Sequence, residues 1–310
     1  MQVMSSELQT FEEHCRTLYT ATDPNARASA EAALVQLSSF ASFIPQCQYV
    51  LDHSTNSHAQ LIASNALGKL VIQFWNQLTP SERVEHRNHA LNFLASHPRC
   101  EHFVAVSLGQ LVASITKLGW LDAPEHQQIV SEVGKFLSAG GEHVGLGLQL
   151  LEQLVSVMNS SNNMRSLTQH RKVAGHFRDT CLFEIMQQAI LTIRQVQTAD
   201  VEGSTILERS LKLVLACLSY DFIGTSLDEA AEELGTIQVL VLLASLRRSL
   251  FSSDEQRNSF LIGLMRGTLR VLQTQHGLNE HSNYHELCRL LARLKGSFQL
   301  SELVQAGSPP

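Results

Sequence analysis

The sequence predicts an all-α protein, a HEAT-repeat α-solenoid made as a superhelix of antiparallel helix pairs. Three observations predict it. Val104, Leu108, Leu111, Ile115 and Leu118 are spaced by four, three, four and three residues, which puts all five on one stripe of a helix. Stripes of this kind recur along the chain with no alternating strand pattern between them. Only seven Pro, a 6% aromatic share and many Leu, Ala and Gln favour helix over strand. A helix with one apolar stripe must bury it against another helix. A stack of such pairs offers a binding surface rather than a set of reactive groups.

Each element follows from local signals. A first helix is expected over about Ser6 to Tyr19, with Leu8, Phe11, Cys15, Leu18 and Tyr19 on one side. Asp23-Pro24 opens a second, since Asp caps a helix and Pro suits its first position; its stripe is Ala30, Ala33, Leu34 and Leu37. A short third helix follows Pro45, with Cys47, Val50 and Leu51. A fourth is expected from His58 to Leu78, with Ala63, Ala66, Leu67, Leu70 and Phe74 in register. Thr79-Pro80 starts a fifth, carrying Ala90, Leu91, Phe93 and Leu94, and His97-Pro98 ends it. The sixth runs from about Glu101 to Gly119. Asp122-Ala123-Pro124 starts a seventh with Ile129, Val133, Phe136 and Leu137, stopped by Gly140-Gly141. His143 to Met158 comes next, then a polar loop from Asn159 to Asn163. Helices are expected at about Leu182 to Gln197, Leu207 to Phe222, Asp254 to Gln273 and Ser282 to Lys295.

These make roughly six to seven pairs of about forty residues, the period of HEAT-type repeats. One pair buries too little by itself, so stability comes from stacking on neighbours. Each buried Leu or Ile contributes about 1.5–3 kcal/mol, which offsets the ordering entropy only when both neighbours are in place.

Composition narrows the function. The chain has 310 residues, 44% hydrophobic and 17% charged, with a net charge of −6. That describes a folded protein without the concentrated basic face that nucleic acid requires. Neither nucleic acid nor membrane is an expected partner, since no run of eighteen apolar residues and no signal peptide is seen. Cys15, Cys47, Cys100, Cys181, Cys217 and Cys288 form no CxxC pair, and most adjoin apolar residues; they read as buried free thiols. Asn159-Ser160-Ser161 matches a glycosylation acceptor and is read as chance.

No catalytic or metal spacing stands out, and no cofactor is expected. His86 and His89 share a helix face without an HExxH partner, so a solvated face is the expectation. Gly145-Leu146-Gly147 lacks the third Gly and the strand of a dinucleotide loop. No nucleophile elbow or phosphate loop is present, so an enzyme is not expected. Arg171 and Lys172 follow a loop. They read either as an exposed helix start or as a contact for an acidic partner. Asp228, Glu229, Glu232 and Glu233 form an acidic run, either a solvated loop or a contact for a basic partner.

Specific phrases go further than periodicity. They are Ile115-Thr116-Lys117-Leu118-Gly119-Trp120, His170-Arg171-Lys172 with Phe177-Arg178-Asp179, Asp221-Phe222-Ile223-Gly224-Thr225-Ser226 with Asp228-Glu229, and Arg247-Arg248-Ser249-Leu250-Phe251. The longest is Asn283-Tyr284-His285-Glu286-Leu287-Cys288-Arg289 running into Leu291-Ala292-Arg293-Leu294-Lys295. In this order they resemble the exportin-7 type of nuclear transport receptor, with its close Ran-binding paralogue, in the importin-β (karyopherin) superfamily.

The resemblance implies a receptor that shuttles between nucleus and cytoplasm through the nuclear pore. It implies Ran-GTP, protein cargo and Phe-Gly nucleoporins as partners, with Ran gripped by the N-terminal repeats. Cargo and Ran-GTP are then coupled reciprocally, each raising the other's affinity. Residues 1–122 correspond to importin N-terminal-like, Ran-binding repeats, 123–238 to further repeats with polar and acidic loops, and 239–310 to repeats after an internal deletion. That deletion, about one repeat, follows Thr236-Ile237-Gln238. The family also continues beyond Pro310, so the reading is an N-terminal fragment or short isoform with an uncapped end. The alternative is a protein-binding scaffold or inactive truncated isoform without an effective grip on Ran or cargo. In the superfamily the second helix of each early pair lines the inner face, which makes Lys69, Gln110 and Lys117, expected on polar sides, the candidate Ran contacts. Gly119 and Trp120 are expected to form a corner packed between repeats.

Overall fold

A computed structural model describes residues 2–36, 39–161, 166–196, 201–218 and 220. The described residues contain helices and turns and no strand, as an all-α HEAT-repeat fold requires. The chain divides into two compact units, Met1–Ile129 and Val130–Pro310.

In the first unit, α1 (Gln2–Thr20) packs on α2 (Pro24–Gln36), α3 (Ile44–His53) on α4 (Ser57–Gln73), and α5 (Pro80–Ser96) on α6 (His102–Gly119). The second helices α4 and α6 also lie side by side, and α1 reaches α4. The signals read from sequence hold at the starts of α2 and α5, and α4 has a cap that the sequence reading did not name. Asp23 accepts from the amides of Asn25 and Ala26. Asn56 accepts from those of His58 and Ala59. Thr79 and Glu82 form a reciprocal capping box, whose bonds hold the Glu82 carboxyl below its ordinary range.

The core is the predicted one. Val104, Leu108, Leu111, Ile115 and Leu118 are all buried, as are Ala63, Ala66, Leu67 and Leu70 across from them. Differences arise where a polar group redirects the chain. The fourth helix stops at Gln73 rather than Leu78, and Trp75–Gln77 is a 3-10 turn. Arg83 caps that end, donating from Nε and Nη2 to the Trp75 carbonyl at 3.1 and 2.8 Å. The seventh helix begins at Ile129 rather than at Pro124; Pro124–Gln128 is a 3-10 segment packed on α6. Tyr19, placed on the apolar stripe of α1 by spacing, is exposed.

In the second unit, α7 (Ile129–Ala139) ends at Gly140 and Gly141, both at positive φ, where glycine avoids a Cβ clash. Then come α8 (Glu142–Asn159), α9 (Leu167–Phe177), α10 (Phe183–Gln195) and α11 (Val201–Leu218). The sequence reading began a helix at Leu182. Instead α9 and α10 are one continuous rod, joined by a π-helical turn at Arg178–Leu182. The face of α9 packs on α8 and that of α10 on α11, which itself lies along α8. Arg209 of α11 donates to the Gly145 carbonyl of α8 at 2.6 Å, and Tyr220 donates to the Ala174 carbonyl at 3.1 Å. The expected helices at 254–273 and 282–295 lie outside the described residues, as does the whole of the expected third segment, 239–310.

Candidate protein-interaction face

The pairing of α4 and α6 leaves one stripe of each helix facing out. On α4 it carries His58, Asn65 and Lys69, and on α6 Phe103, Val106 and Gln110. These positions are spaced seven and four apart on α4 and three and four apart on α6, so each set shares a face. Ser107 ties the two stripes together. Its hydroxyl donates to Asn65 Oδ1 at 2.8 Å and lies 2.7 Å from the buried Ser64 hydroxyl. At the N-terminal ends of the helices, Tyr19, His58 and Phe103 form a row of rings with centroid spacings of 4.2 and 5.7 Å. Phe103 and Val106 are 36% and 38% exposed, so the face mixes an apolar end with a polar, cationic end at Lys69.

The structure places two of the three predicted contacts here. Lys69 and Gln110 are exposed, on adjacent helices. Lys117 is not on the solvent side: it is 3% exposed, and burial pushes its amine down to about 8. The helical spacing from Gln110 puts the two on one face, yet Gln110 is exposed and Lys117, seven residues further on, is buried. Position along the helix, not the angle around it, decides the exposure of Lys117.

The turn after α6 is a dense polar corner. Trp120 and His126 are 0% exposed. A Cβ on Gly119 would sit 2.2 Å from His126 Nε2, so only glycine lets the imidazole reach the helix. Gln127 Nε2 donates to the Trp120 carbonyl at 2.9 Å. Arg87 of α5, fully buried, donates from Nη1 to the Glu125 carbonyl at 2.9 Å and from Nε and Nη2 to Asn88 Oδ1. Arg83 pairs with Asp122 at 3.0 Å and lies 4.5 Å over the Trp75 ring. Burial, with the Arg87 charge beside it, pushes the His126 imidazole down to about 4, so it is neutral at physiological pH. The expected corner at Gly119 and Trp120 is therefore present. Arg87 and His126, its two buried polar members, had no sequence signal beyond their places on amphipathic patterns.

The histidines of α5 are a correction. His86 and His89 do not form a solvated face. His86 is buried, with Nδ1 3.3 Å from Gln48 Nε2, and His89 Nε2 meets Asp52 at 2.9 Å. Both bridge α5 to α3. Among the described residues no group of three His, Cys, Asp or Glu is placed to hold a metal, and no helix is long and apolar enough to cross a membrane.

Arg171 and Lys172 are exposed in the second turn of α9, in the second unit. Ser166 and Gln169 cap that helix reciprocally, and His170 beside the pair is buried. Asp228, Glu229, Glu232 and Glu233 lie outside the described residues. The sequence reading missed Asn65, Ser107, Phe103 and Val106. The signal was there: Phe103 and Val106 are apolar residues off the Val104–Leu108–Leu111 stripe, which marks an apolar patch facing out.

Residues 30–96 match the importin-β N-terminal domain family, a stretch from within α2 to the end of α5. Over 96% of its length the chain is 36% identical to exportin-7-A of Xenopus laevis and to Ran-binding protein 16 of Drosophila melanogaster. It is 36% identical over its whole length to Ran-binding protein 17 of Homo sapiens. The chain spans 31–32% of the length of these relatives. The alignment with the human relative runs over 354 positions against 310 residues here. Gaps in this chain therefore amount to about one HEAT-type repeat.

Proposed function

We propose that this chain, a homologue of exportin-7 and Ran-binding proteins 16 and 17 carrying an importin-β N-terminal domain, works as the Ran-gripping N-terminal portion of a nuclear export receptor. In this reading it binds Ran-GTP with the exposed stripes of α4 and α6, carries protein cargo, and shuttles between nucleus and cytoplasm past Phe-Gly nucleoporins. Lys69 and Gln110 touch Ran directly, while Lys117 supports the face from beneath the end of α6. Arg171 and Lys172 offer a separate cationic contact for an acidic partner segment, and Asp228, Glu229, Glu232 and Glu233 an acidic one for a basic segment.

The single observation that carries the reading is the 36% identity, over 96–100% of this chain, with proteins named as an exportin and as Ran-binding proteins. The face supports it by its position, since α4 lies wholly within the matched domain and α6 packs directly on α4. The reading names relatives that are transport receptors, and no part of it requires bond-making chemistry.

The test is a pull-down with Ran in each nucleotide state. Retention of Ran-GTP over Ran-GDP is expected, and the double variant Lys69→Glu/Gln110→Glu should weaken it about tenfold, with helicity by circular dichroism unchanged because both residues are exposed. Equal retention of the two states would favour a scaffold without a Ran grip. Selective retention with the double variant at full affinity would keep the receptor and move the site.

A further inference from the structure

Neither α4 nor α6 contains an Asp or a Glu, although the chain holds 29 of them and carries a net charge of −6. The stripes that these helices turn outward are therefore free of carboxylate along their whole length. Of the two Lys in these helices, Lys117 is buried and Lys69 is exposed. Glu101, the acidic residue just before α6, lies at the Phe103 end, six residues or about 9 Å of helix axis from Ser107. A net-acidic protein that keeps one face clear of acid draws negative charge to that face and repels it from most others.

Asn65 turns this attraction into a seat. Ser107 of α6 donates to Asn65 Oδ1 at 2.8 Å, with the Ser64 hydroxyl 2.7 Å behind it. The bond comes from the neighbouring helix, so the acceptor end of the Asn65 amide is held at the seam. The other end, Nδ2, keeps its two N–H donors without a partner among the described residues, on an exposed side chain. Lys69 follows one turn on. Residues four apart on a helix have Cβ atoms about 5–6 Å from each other, and a long helical side chain leans toward the N-terminus, over the turn before it. The Lys69 stem therefore leans toward Asn65, and its ammonium also has no partner among the described residues. An oriented N–H pair beside a mobile ammonium matches the two oxygens of a carboxylate.

We infer that Asn65 and Lys69 form the seat for one carboxylate, an Asp or Glu side chain of the protein that docks on the α4–α6 face. Asn65 Nδ2 donates to one oxygen and the Lys69 ammonium pairs with the other. Ser107 is a positioning residue: its bond keeps the amide from turning its own oxygen outward. The inference rests on the reading of this face as the docking surface, and not on Ran being the protein that docks.

The test is an NMR titration of the nitrogen-labelled full chain with a hexaglutamate peptide, with hexaglutamine as the uncharged control. The Asn65 side-chain N–H resonances should shift saturably with hexaglutamate and not with hexaglutamine. The affinity should fall at least severalfold between about 50 and 300 mM salt. Lys69→Gln should weaken the peptide about fivefold. Asn65→Asp keeps an acceptor for Ser107 but replaces the outward donor with negative charge, and should weaken it at least about tenfold. Ser107→Ala should weaken it about two- to threefold with the salt dependence unchanged, and Ser107→Thr, which restores the hydroxyl, should recover the loss. Shifts confined to Arg171 and Lys172 of α9, equal shifts of Asn65 with hexaglutamine, or unchanged affinity in Asn65→Asp would overturn the inference. The same variants against Ran-GTP separate it from the Ran reading. Hexaglutamate seated at Asn65 in a chain that binds no Ran-GTP supports the seat and removes Ran. Full affinity of Asn65→Asp for Ran-GTP, with no peptide at Asn65 in the unmodified chain, overturns the seat and leaves Ran. If Asn65→Asp fails to fold, Lys69→Gln decides, because unchanged peptide affinity in that variant would overturn the inference equally.

Discussion

Gly119→Ala probes the corner at the end of α6 with a single methyl group. An ideal Cβ at residue 119 would lie 2.2 Å from His126 Nε2, 2.3 Å from Cδ2 and 2.8 Å from Cε1. Non-bonded heavy atoms sit at about 3.5–4.0 Å, so the imidazole must retreat by more than one ångström. It has nowhere to go: His126 is 0% exposed, beside the fully buried Arg87 and Trp120. Overpacking of this kind costs about 1–3 kcal/mol. Alanine returns up to about 1 kcal/mol of helix propensity in a helix interior, and less here, because Gly119 is the last residue of α6. The net loss is about 1–2 kcal/mol. The chain holds two Trp, Trp75 and Trp120, both buried in the first unit, so their fluorescence in urea reports on that unit alone. With a slope of about 1–3 kcal/mol per molar urea, the midpoint should fall by roughly 0.3–2 M. Repeating the substitution in a His126→Ala background, where the clash is gone, should recover most of the loss. An unchanged midpoint, or a loss just as large without the imidazole, would refute the argument.

Four further outcomes follow from the same geometry. Arg87→Lys should destabilise the first unit by about 2–3 kcal/mol, because an ammonium cannot reproduce the bonds to Glu125 and Asn88 together; urea unfolding measures it. The His126 imidazole has its folded pKa pushed down to about 4 from about 6.5, so the unfolded chain binds the extra proton between those values. Its contribution is complete above pH 6.5 and lost as pH falls toward 4, a loss that His126→Ala should shrink in urea midpoints taken at pH 4.5 and 7. Lys117 behaves likewise at a higher pH. With its folded value at about 8, stability should rise between pH 8 and about 10.5, and Lys117→Met should remove that rise in the same titration. Among the five described cysteines, all free, only Cys100 is not buried. It should therefore be alkylated first under native conditions, at least tenfold faster than Cys15, Cys47, Cys181 or Cys217 by peptide mapping.

How much the sequence told depends on the kind of information. The stripe Val104–Leu118 was legible because periodicity is a property of one helix, and every member is buried. The starts at Asp23 and Thr79 were legible because a cap satisfies amides two or three residues away. Lys117 was not, because its angle around the helix matches that of exposed Gln110, and its burial is a tertiary property that periodicity within one helix does not carry. His86 and His89 looked like solvent-facing residues for the same reason: their partners, Gln48 and Asp52, sit 38 and 37 residues back on another helix. The α4–α6 face was half legible. Lys69 and Gln110 could be placed by angle around a helix, whereas the Ser107–Asn65 bond that joins the two stripes belongs to a pairing of helices.

The π-helical turn at Arg178–Leu182 gives the long rod of the second unit an unusual freedom. One residue more than a regular α-turn rotates everything after it by about 100°. The rod can thus aim the hydrophobic side of its first half at one neighbour and that of its second half at another without a break. Phe177 and Cys181 bracket the change of phase, both buried. Removing a single residue from this turn would restore an uninterrupted spiral and swing Ile185, Met186 and Ala189 away from their seats, a larger disturbance than losing any one of those side chains. The rod behaves as two short helices welded with a fixed offset, and the weld is written in residue count rather than in residue type.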